Sequence, residues 1–264
     1  MNYNNKTVWI TGASSGIGRA LARKFAKENA NLILSSRNTL ELEKLKLEIQ
    51  TDSNKVIIEA LDLTKQETFQ EIVSKVISEF ESIDLLINNG GISQRSLVED
   101  TSLEVDRKLM EVNFFGTVAL TKAVLPYMLK NNSGQIAVVT SVVGKFGFPL
   151  RSAYSASKHA LQGFFDTLRA ETQDRGIKVS IIIPGRINTN ISVEAIVADG
   201  NTYGKIDAGQ EEGMSAELAA NKMFYGLQKE RKEILVGRKE LIMIQIRRFF
   251  PCIYYRLASK VSAT

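Results

Sequence analysis

The chain has 264 residues, 44% hydrophobic and 24% charged, a balance that excludes a disordered protein and suffices for a large core. Its net charge of +5 is uneven: Lys229 to Thr264 holds nine Lys/Arg against three Asp/Glu, or +6, whereas residues 1–228 hold 25 against 26, or −1. A neutral body excludes a nucleic-acid-binding one, and one cysteine (Cys252) with one histidine (His159) excludes an internal disulfide and a Cys/His metal cluster.

The single cysteine fits a reducing, cytoplasmic compartment. No linker, low-complexity run or repeat divides the chain, so one domain is expected. The first residues lack the charged-then-apolar layout of a signal peptide, and no apolar run approaches the roughly 20 residues that cross a bilayer.

Lys6 to Ile10 reads as a short strand, followed at once by Thr11-Gly12-Ala13-Ser14-Ser15-Gly16-Ile17-Gly18 and a helical pattern from Arg19 to Asn29. Strand, glycine-rich turn and helix is the context in which backbone N–H groups approach a pyrophosphate at the positive end of a helix. Asn31 to Ser36 reads as the second strand. A carboxylate at its end would bind a ribose 2′-hydroxyl, whereas Ser36-Arg37 places a guanidinium suited to a 2′-phosphate, favouring NADP over NAD. The plain alternative is an Arg37 that ends in solvent at the next helix.

Helices over Asn38–Gln50 and Gln66–Phe80 alternate with strands over Lys55–Leu61 and Ile83–Ile87. This alternation predicts βαβ units and a doubly wound, Rossmann-like parallel α/β sheet. In such sheets ligands sit beyond the carboxyl ends of the strands, where Gly12, Arg37, Asp62 and Asn88 fall. Glu104 to Lys130 is a long helical region in which Asn113, on an apolar face, needs partners for its amide. Ile136 to Thr140 is the fifth strand and delivers Ser141; Ile177 to Ile183 is the sixth and runs into Pro184-Gly185-Arg186-Ile187-Asn188-Thr189.

Between them, Ser152 to Thr172 has helical apolar spacing and carries Tyr154-Ser155-Ala156-Ser157-Lys158. Residues four apart share a helix face, so the phenol and the ammonium point into one space. A cation beside a phenol favours the phenolate and brings a group of ordinary pKa near 10 toward a useful acid/base range.

With these motifs in order, the chain resembles the short-chain dehydrogenase/reductase family over roughly residues 5 to 237. The signatures are T-G-x-x-x-G-x-G at 11–18, D-L at 62–63, N-N-x-G at 88–91, Asn113, Ser141, Y-x-x-x-K at 154–158 and P-G-x-x-x-T at 184–189. The resemblance implies that Ser141 holds the reacting oxygen and Tyr154 exchanges a proton with it. It implies that Lys158 holds the nicotinamide ribose and lowers the phenol pKa, and that Asn113 bends its helix around an ordered water. It also implies cofactor contacts from Gly12, Ser14, Ser15, Gly16, Ile17, Gly18, Arg37, Asp62, Leu63, Asn88, Gly90, Tyr154, Lys158, Pro184, Ile187 and Thr189. Gly90 departs from the family's usual alanine. Family members associate as dimers or tetramers through the two long helices, so a homo-oligomer is expected.

A serine hydrolase would need a nucleophile elbow and a histidine partner, which Ser141 lacks. A silent nucleotide-binding relative, serving as sensor or scaffold, would have no use for the complete Asn113, Ser141, Tyr154 and Lys158 set. Residues 1–237 are therefore read as the enzymatic domain, with a mobile substrate loop at about 189–215 whose Ile191, Val193, Ile196, Val197 and Tyr203 have two readings: the wall of a pocket for an apolar or lipid-like ketone or alcohol, or ordinary packing. Residues 238–264 form a basic, apolar extension with two readings: contact with a membrane surface, or a terminal helix packed on a neighbouring subunit or over the substrate loop.

Overall fold

The computed structural model describes residues 1–258; residues 259–264, the end of the extension, lie outside the described residues. Short runs rich in β-branched residues and leucine form β1 (Thr7–Thr11), β2 (Asn31–Ser36), β3 (Val56–Ala60), β4 (Leu85–Asn88), β5 (Gly134–Val139), β6 (Ile177–Pro184) and β9 (Glu233–Val236). They pair in parallel in the order β3-β2-β1-β4-β5-β6-β9. Covered on both faces, the central strands are buried throughout rather than alternating: every residue of β1, β4 and β5 is buried, whereas the edge strand β9 alternates.

The helices α1 (Gly16–Ala26), α2 (Thr39–Ile49) and α8 (Ala216–Gln228) cover one face. The other is covered by α3 (Phe69–Phe80), α4 (Leu103–Met110), α5 (Thr117–Lys130) and α6 (Ser152–Thr172). Strand order reverses between β1 and β4, so the connections leave in opposite directions there and open a crevice at the carboxyl ends. Asn89 closes its floor, its Nδ2 donating to the Thr11 carbonyl at 3.0 Å and the Gly12 carbonyl at 3.2 Å.

Three features depart from the sequence reading. The region read as one helix from Glu104 contains a π-turn at Glu111–Gly116 between α4 and α5. By length and composition this 28-residue helix, Leu103–Lys130, passes as a membrane span, contrary to the expectation that no segment would. Half of its most apolar window is buried inside the domain, and core packing accounts for that composition. The loop read as mobile is irregular but pinned. A two-stranded sheet of β7 (Ile187–Asn188) and β8 (Met214–Ser215) joins its ends, the short helix α7 (Ala208–Glu211) lies between them, and Ser192, Ala195, Ile196 and Asp207 within the loop are buried.

The extension forms α9 (Ile242–Phe249) and α10 (Pro251–Ala258). Tyr254 is buried, its ring against Phe146 and its hydroxyl donating to the Gly147 carbonyl. The extension thus packs over the loop that follows Ser141, while Ile242, Phe249, Phe250, Ile253 and Tyr255 stay exposed.

Candidate active site

Helix α6 buries Tyr154, Ser157, Lys158, Leu161, Phe165 and Leu168 on one stripe, so its packing face and its chemical face coincide. The Tyr154 side shares a cavity of about 660 Å³ with Ser141, Lys158, Pro184, Ile187 and Thr189. The walls of this cavity include Val142, Phe146, Phe148, Ile191, Ile242 and Met243, so it is mostly apolar. A second, polar cavity of about 740 Å³ is lined by Gly12, Ser14, Ser15, Gly16, Ile17, Arg37, Asp62, Leu63 and Gly90. Ile17, Asn89, Gly91, Thr189 and Ile191 line both, making one groove with a polar and an apolar half.

The polar half fits a dinucleotide. Gly12 has φ +64°, a left-handed conformation that favours glycine, and an added Cβ would lie 2.9 Å from the Gly90 Cα. Gly18 does not line the groove; a Cβ there would lie 2.2 Å from the Gly12 carbonyl oxygen, so its role is close helix packing. Ser15 precedes α1 without a side-chain cap, leaving the helix's first N–H groups to the groove. Arg37 is exposed on the groove rim and forms no ion pair among the described residues. Arg19, which the motif did not single out, lines the same wall; it pairs with Glu41, and its buried Nε has no partner. Asp62 accepts hydrogen bonds from the backbone N–H and the hydroxyl of Thr64, which hold its carboxyl below its usual range.

Asn88 is a correction. Its side chain is buried under the sheet and donates to the Thr121 hydroxyl at 3.0 Å, and it lines neither half of the groove. Successive residues of a strand point to opposite faces, which sends Asn88 inward and gives the groove wall to Asn89.

Asn113 sits in the π-turn, fully buried. Its Oδ1 accepts from the Ile92 N–H at 2.8 Å, and its Nδ2 donates to the Ile92 carbonyl at 3.0 Å and the Ser157 hydroxyl at 3.1 Å. The amide that looked awkward in sequence therefore ties the end of the N-N-x-G turn to the tyrosine helix. Gln94 ties the same pieces a second time. Its Oε1 accepts from the Tyr154 backbone N–H at 3.2 Å, and its Nε2 donates to Ser152 at 3.1 Å.

Tyr154 and Lys158 are 8% and 5% exposed. The ammonium donates to the Val139 carbonyl at 2.9 Å, 5.7 Å from the tyrosine ring centre. Burial pushes the Lys158 pKa down to about 8. Burial also raises the Tyr154 pKa, and the groups that oppose this are Arg151, the Ser141 hydroxyl through a hydrogen bond, and Arg95. Lys158 is not among them. The expected one-turn ammonium–phenol pairing is thus corrected in part: both groups reach one cavity, but the ammonium is turned to the end of β5 and other cations act on the phenol. His159 points elsewhere, its Nδ1 2.8 Å from the Ser155 carbonyl oxygen. Among the described residues no cluster of His, Cys, Asp or Glu could hold a metal.

Comparison with known proteins agrees with this geometry. The short chain dehydrogenase profile matches residues 6–198. The chain is 42% identical to the mouse dehydrogenase/reductase SDR family member 7B over 258 residues, 96% of this chain and 80% of that one. It is equally identical, over 97% of its length and 80% of the relative's, to the Drosophila melanogaster dehydrogenase/reductase SDR family protein 7-like. Among solved structures, a Streptomyces avermitilis short-chain dehydrogenase superposes with a TM-score of 0.82 at 28% identity, covering 98% of this chain and 97% of that one. An alcohol dehydrogenase of Thermococcus sibiricus complexed with 5-hydroxy-NADP superposes at 0.75 and 28%, covering 88% and 96%. A Burkholderia phymatum short-chain dehydrogenase/reductase in complex with NAD shares the fold, at TM-score 0.84 and 23% identity over 96% of each chain. The chain belongs to the short-chain dehydrogenase/reductase family and is an oxidoreductase of that family.

Proposed function

We propose that residues 1–237 use NADP(H) to interconvert a carbonyl and a secondary alcohol on an apolar, lipid-like substrate. The observation that carries this reading is the meeting of Ser141, Tyr154 and Lys158 where the glycine-floored polar half of the groove joins the apolar half. When bound, nicotinamide supplies or takes the hydride; the chain's own residues hold the substrate oxygen and move its proton. Ser141 donates to that oxygen, Tyr154 gives or takes the proton, and Lys158 holds the ribose end. Asn113 fixes the turn and the helix on which they stand. Arg37, with Arg19 beside it, gives the adenosine end two guanidinium groups for a 2′-phosphate, which supports NADP over NAD. A silent sensor is disfavoured, because a buried phenol aligned with a serine hydroxyl serves no binding purpose.

The substrate half is walled by Val142, Phe146, Phe148, Ile191, Ile242 and Met243, which supports an apolar substrate. Ile242 also stands exposed on the outer face of the extension, beside Phe249, Phe250, Ile253 and Tyr255, with Arg247, Arg248 and Arg256 close in sequence. Bulky apolar groups among arginines suit an anionic membrane surface, and we place the enzyme at the cytoplasmic side of one. Phe115, half exposed against Phe114, whose ring in turn meets Phe164 of α6, supports self-association through α5 and α6 as a dimer or tetramer.

The test is oxidation of NADPH and of NADH with 2-alkanones of four to twelve carbons. The expected result is faster turnover with NADPH and with longer chains, lost by about 10²–10⁴-fold in Tyr154→Phe. No turnover of any carbonyl with either cofactor would sink the reading, and rates independent of chain length would remove the lipid-like substrate.

A further inference from the structure

Outside the family motifs, the largest buried charged assembly beside the site joins three parts of the chain. Arg95 follows the N-N-x-G turn, Arg151 precedes α6, and Asp207 belongs to the pinned substrate loop. The Arg95 guanidinium binds Asp207 through Nε and Nη2, and Arg151 reaches the same carboxylate at 3.0 Å. Arg95 and Asp207 side chains are 2% and 6% exposed, and Arg151 is 13%. All three line the cavity that holds Tyr154. Such a bridge is weak as a source of stability, since desolvating three charges costs about what their attraction returns. Its position asks for another role.

Resting on the oxidoreductase reading above, we propose that Arg95, Asp207 and Arg151 are positioning residues for Tyr154: docking of the substrate loop delivers Asp207, which draws the two guanidinium groups together beside the phenol and so favours its ionised form.

Two guanidinium groups side by side in a buried wall repel each other, and a carboxylate between them removes that objection. Asp207 comes from the substrate loop, 112 residues from Arg95 and 56 from Arg151, so the cationic wall is assembled only with the loop in place. Loop and frame are further stitched by the Arg95 N–H to the Ile196 carbonyl at 2.9 Å and the Ile196 N–H to the Ser93 carbonyl at 2.9 Å. The phenol is linked to the same pieces. The Arg151 carbonyl accepts from the Ser155 N–H at 2.8 Å in the first turn of α6, and Gln94, next to Arg95, holds the Tyr154 N–H.

Beside the Ser141 hydroxyl from the loop after β5, the charged groups that line the phenol's cavity are Lys158 from α6 itself, Arg95, Arg151 and Asp207, Arg186 after β6, and Lys239 and Glu240 at the start of the extension. Arg151 and Arg95 both act to lower the Tyr154 pKa against burial. Burial brings Arg151 down to about 10, with Arg95 pushing in the same direction and Asp207 opposing, so it stays charged at neutral pH.

The test is direct titration of the phenol by ultraviolet difference absorption on the NADP⁺ complex, with each protein read against its own Tyr154→Phe partner. Arg151→Gln and Asp207→Asn should each move the titration upward, with about tenfold less phenolate at a given pH, whereas Arg151→Lys and Asp207→Glu should stay near the wild type. Unmoved titration in folded Arg151→Gln, or in Asp207→Asn if the first variant does not fold, overturns the proposal. A bridge that only holds the loop would lower thermal stability without moving the titration. Because the readout needs no turnover, the outcome is separate from whether any carbonyl proves to be a substrate.

Discussion

The Lys158 ammonium and the Val139 carbonyl are joined at 2.9 Å, with the Lys158 side chain sealed between β5 and the phenol ring of Tyr154. Here the folded-state pKa, about 8, lies below the ordinary value of 10.5. Between those two values the unfolded chain binds more protons than the folded one, so stability rises with pH across that window. Below pH 8 the folded protein carries the full cost of holding a buried ammonium. In the absence of cofactor, Lys158→Met should therefore match or exceed the wild type at pH 7, by about 1–3 kcal/mol. That advantage should shrink toward pH 10, while turnover falls at least about 100-fold. Thermal melts of both proteins at pH 7 and pH 10 check it; an advantage that grows with pH contradicts the assignment.

Asn113→Ala leaves the part-buried N–H and carbonyl of Ile92 without their partner. Two stranded backbone groups predict a loss of about 2–4 kcal/mol by chemical denaturation. Asn113→Asp keeps the acceptor and should recover part of it. Equal stability of all three proteins would mean that the turn finds other partners.

Arg37→Gln should raise the KM for NADPH about 10–100-fold, the worth of one or two charge-assisted hydrogen bonds, and leave the KM for NADH within about threefold. Steady-state kinetics with both cofactors decides this. A parallel rise for the two would assign Arg37 to structure rather than to the 2′-phosphate.

Gly90→Ala restores the family's usual residue, and the geometry predicts tolerance. The added methyl would lie 3.0 Å from the Leu63 Cδ1 and 3.3 Å from the Thr11 Oγ1, both side-chain atoms. A shift of the Leu63 tip accommodates it, so melting and NADPH affinity should stay within about 1 kcal/mol of wild type. By contrast, Gly18→Ala meets the Gly12 carbonyl oxygen at 2.2 Å and should destabilise measurably.

Residues whose role is local were the legible ones. β2 (Asn31–Ser36) and α6 (Ser152–Thr172) have the bounds that periodicity gave them, because the apolar pattern of each runs its full length. β9 (Glu233–Val236), the helix before it and the π-turn were not read: β9 is four residues at a sheet edge, and a π-turn alters hydrogen-bond register without altering composition. Asn88 and Asn89 are adjacent and chemically identical, so only the strand's pleat decides which one faces the groove. Arg95 and Asp207 stand 112 residues apart and are paired only by the fold. The same holds for the Tyr254 contact with Gly147, which closes the extension over the site from 107 residues away.

The six residues Glu111–Gly116 have one further consequence. A π-turn takes up one residue more than an α-turn in the same advance, so α4 and α5 are rotated about 100° out of the phase that a continuous α-helix would give them. Removing any single residue there would heal the hydrogen-bond ladder into an ordinary helix. Val105, Leu109, Leu120 and Val124 would keep their present faces, because the extra residue is what the π-turn absorbs. Such a deletion costs the bulge itself, and with it the seat from which the Asn113 amide reaches Ile92 and Ser157.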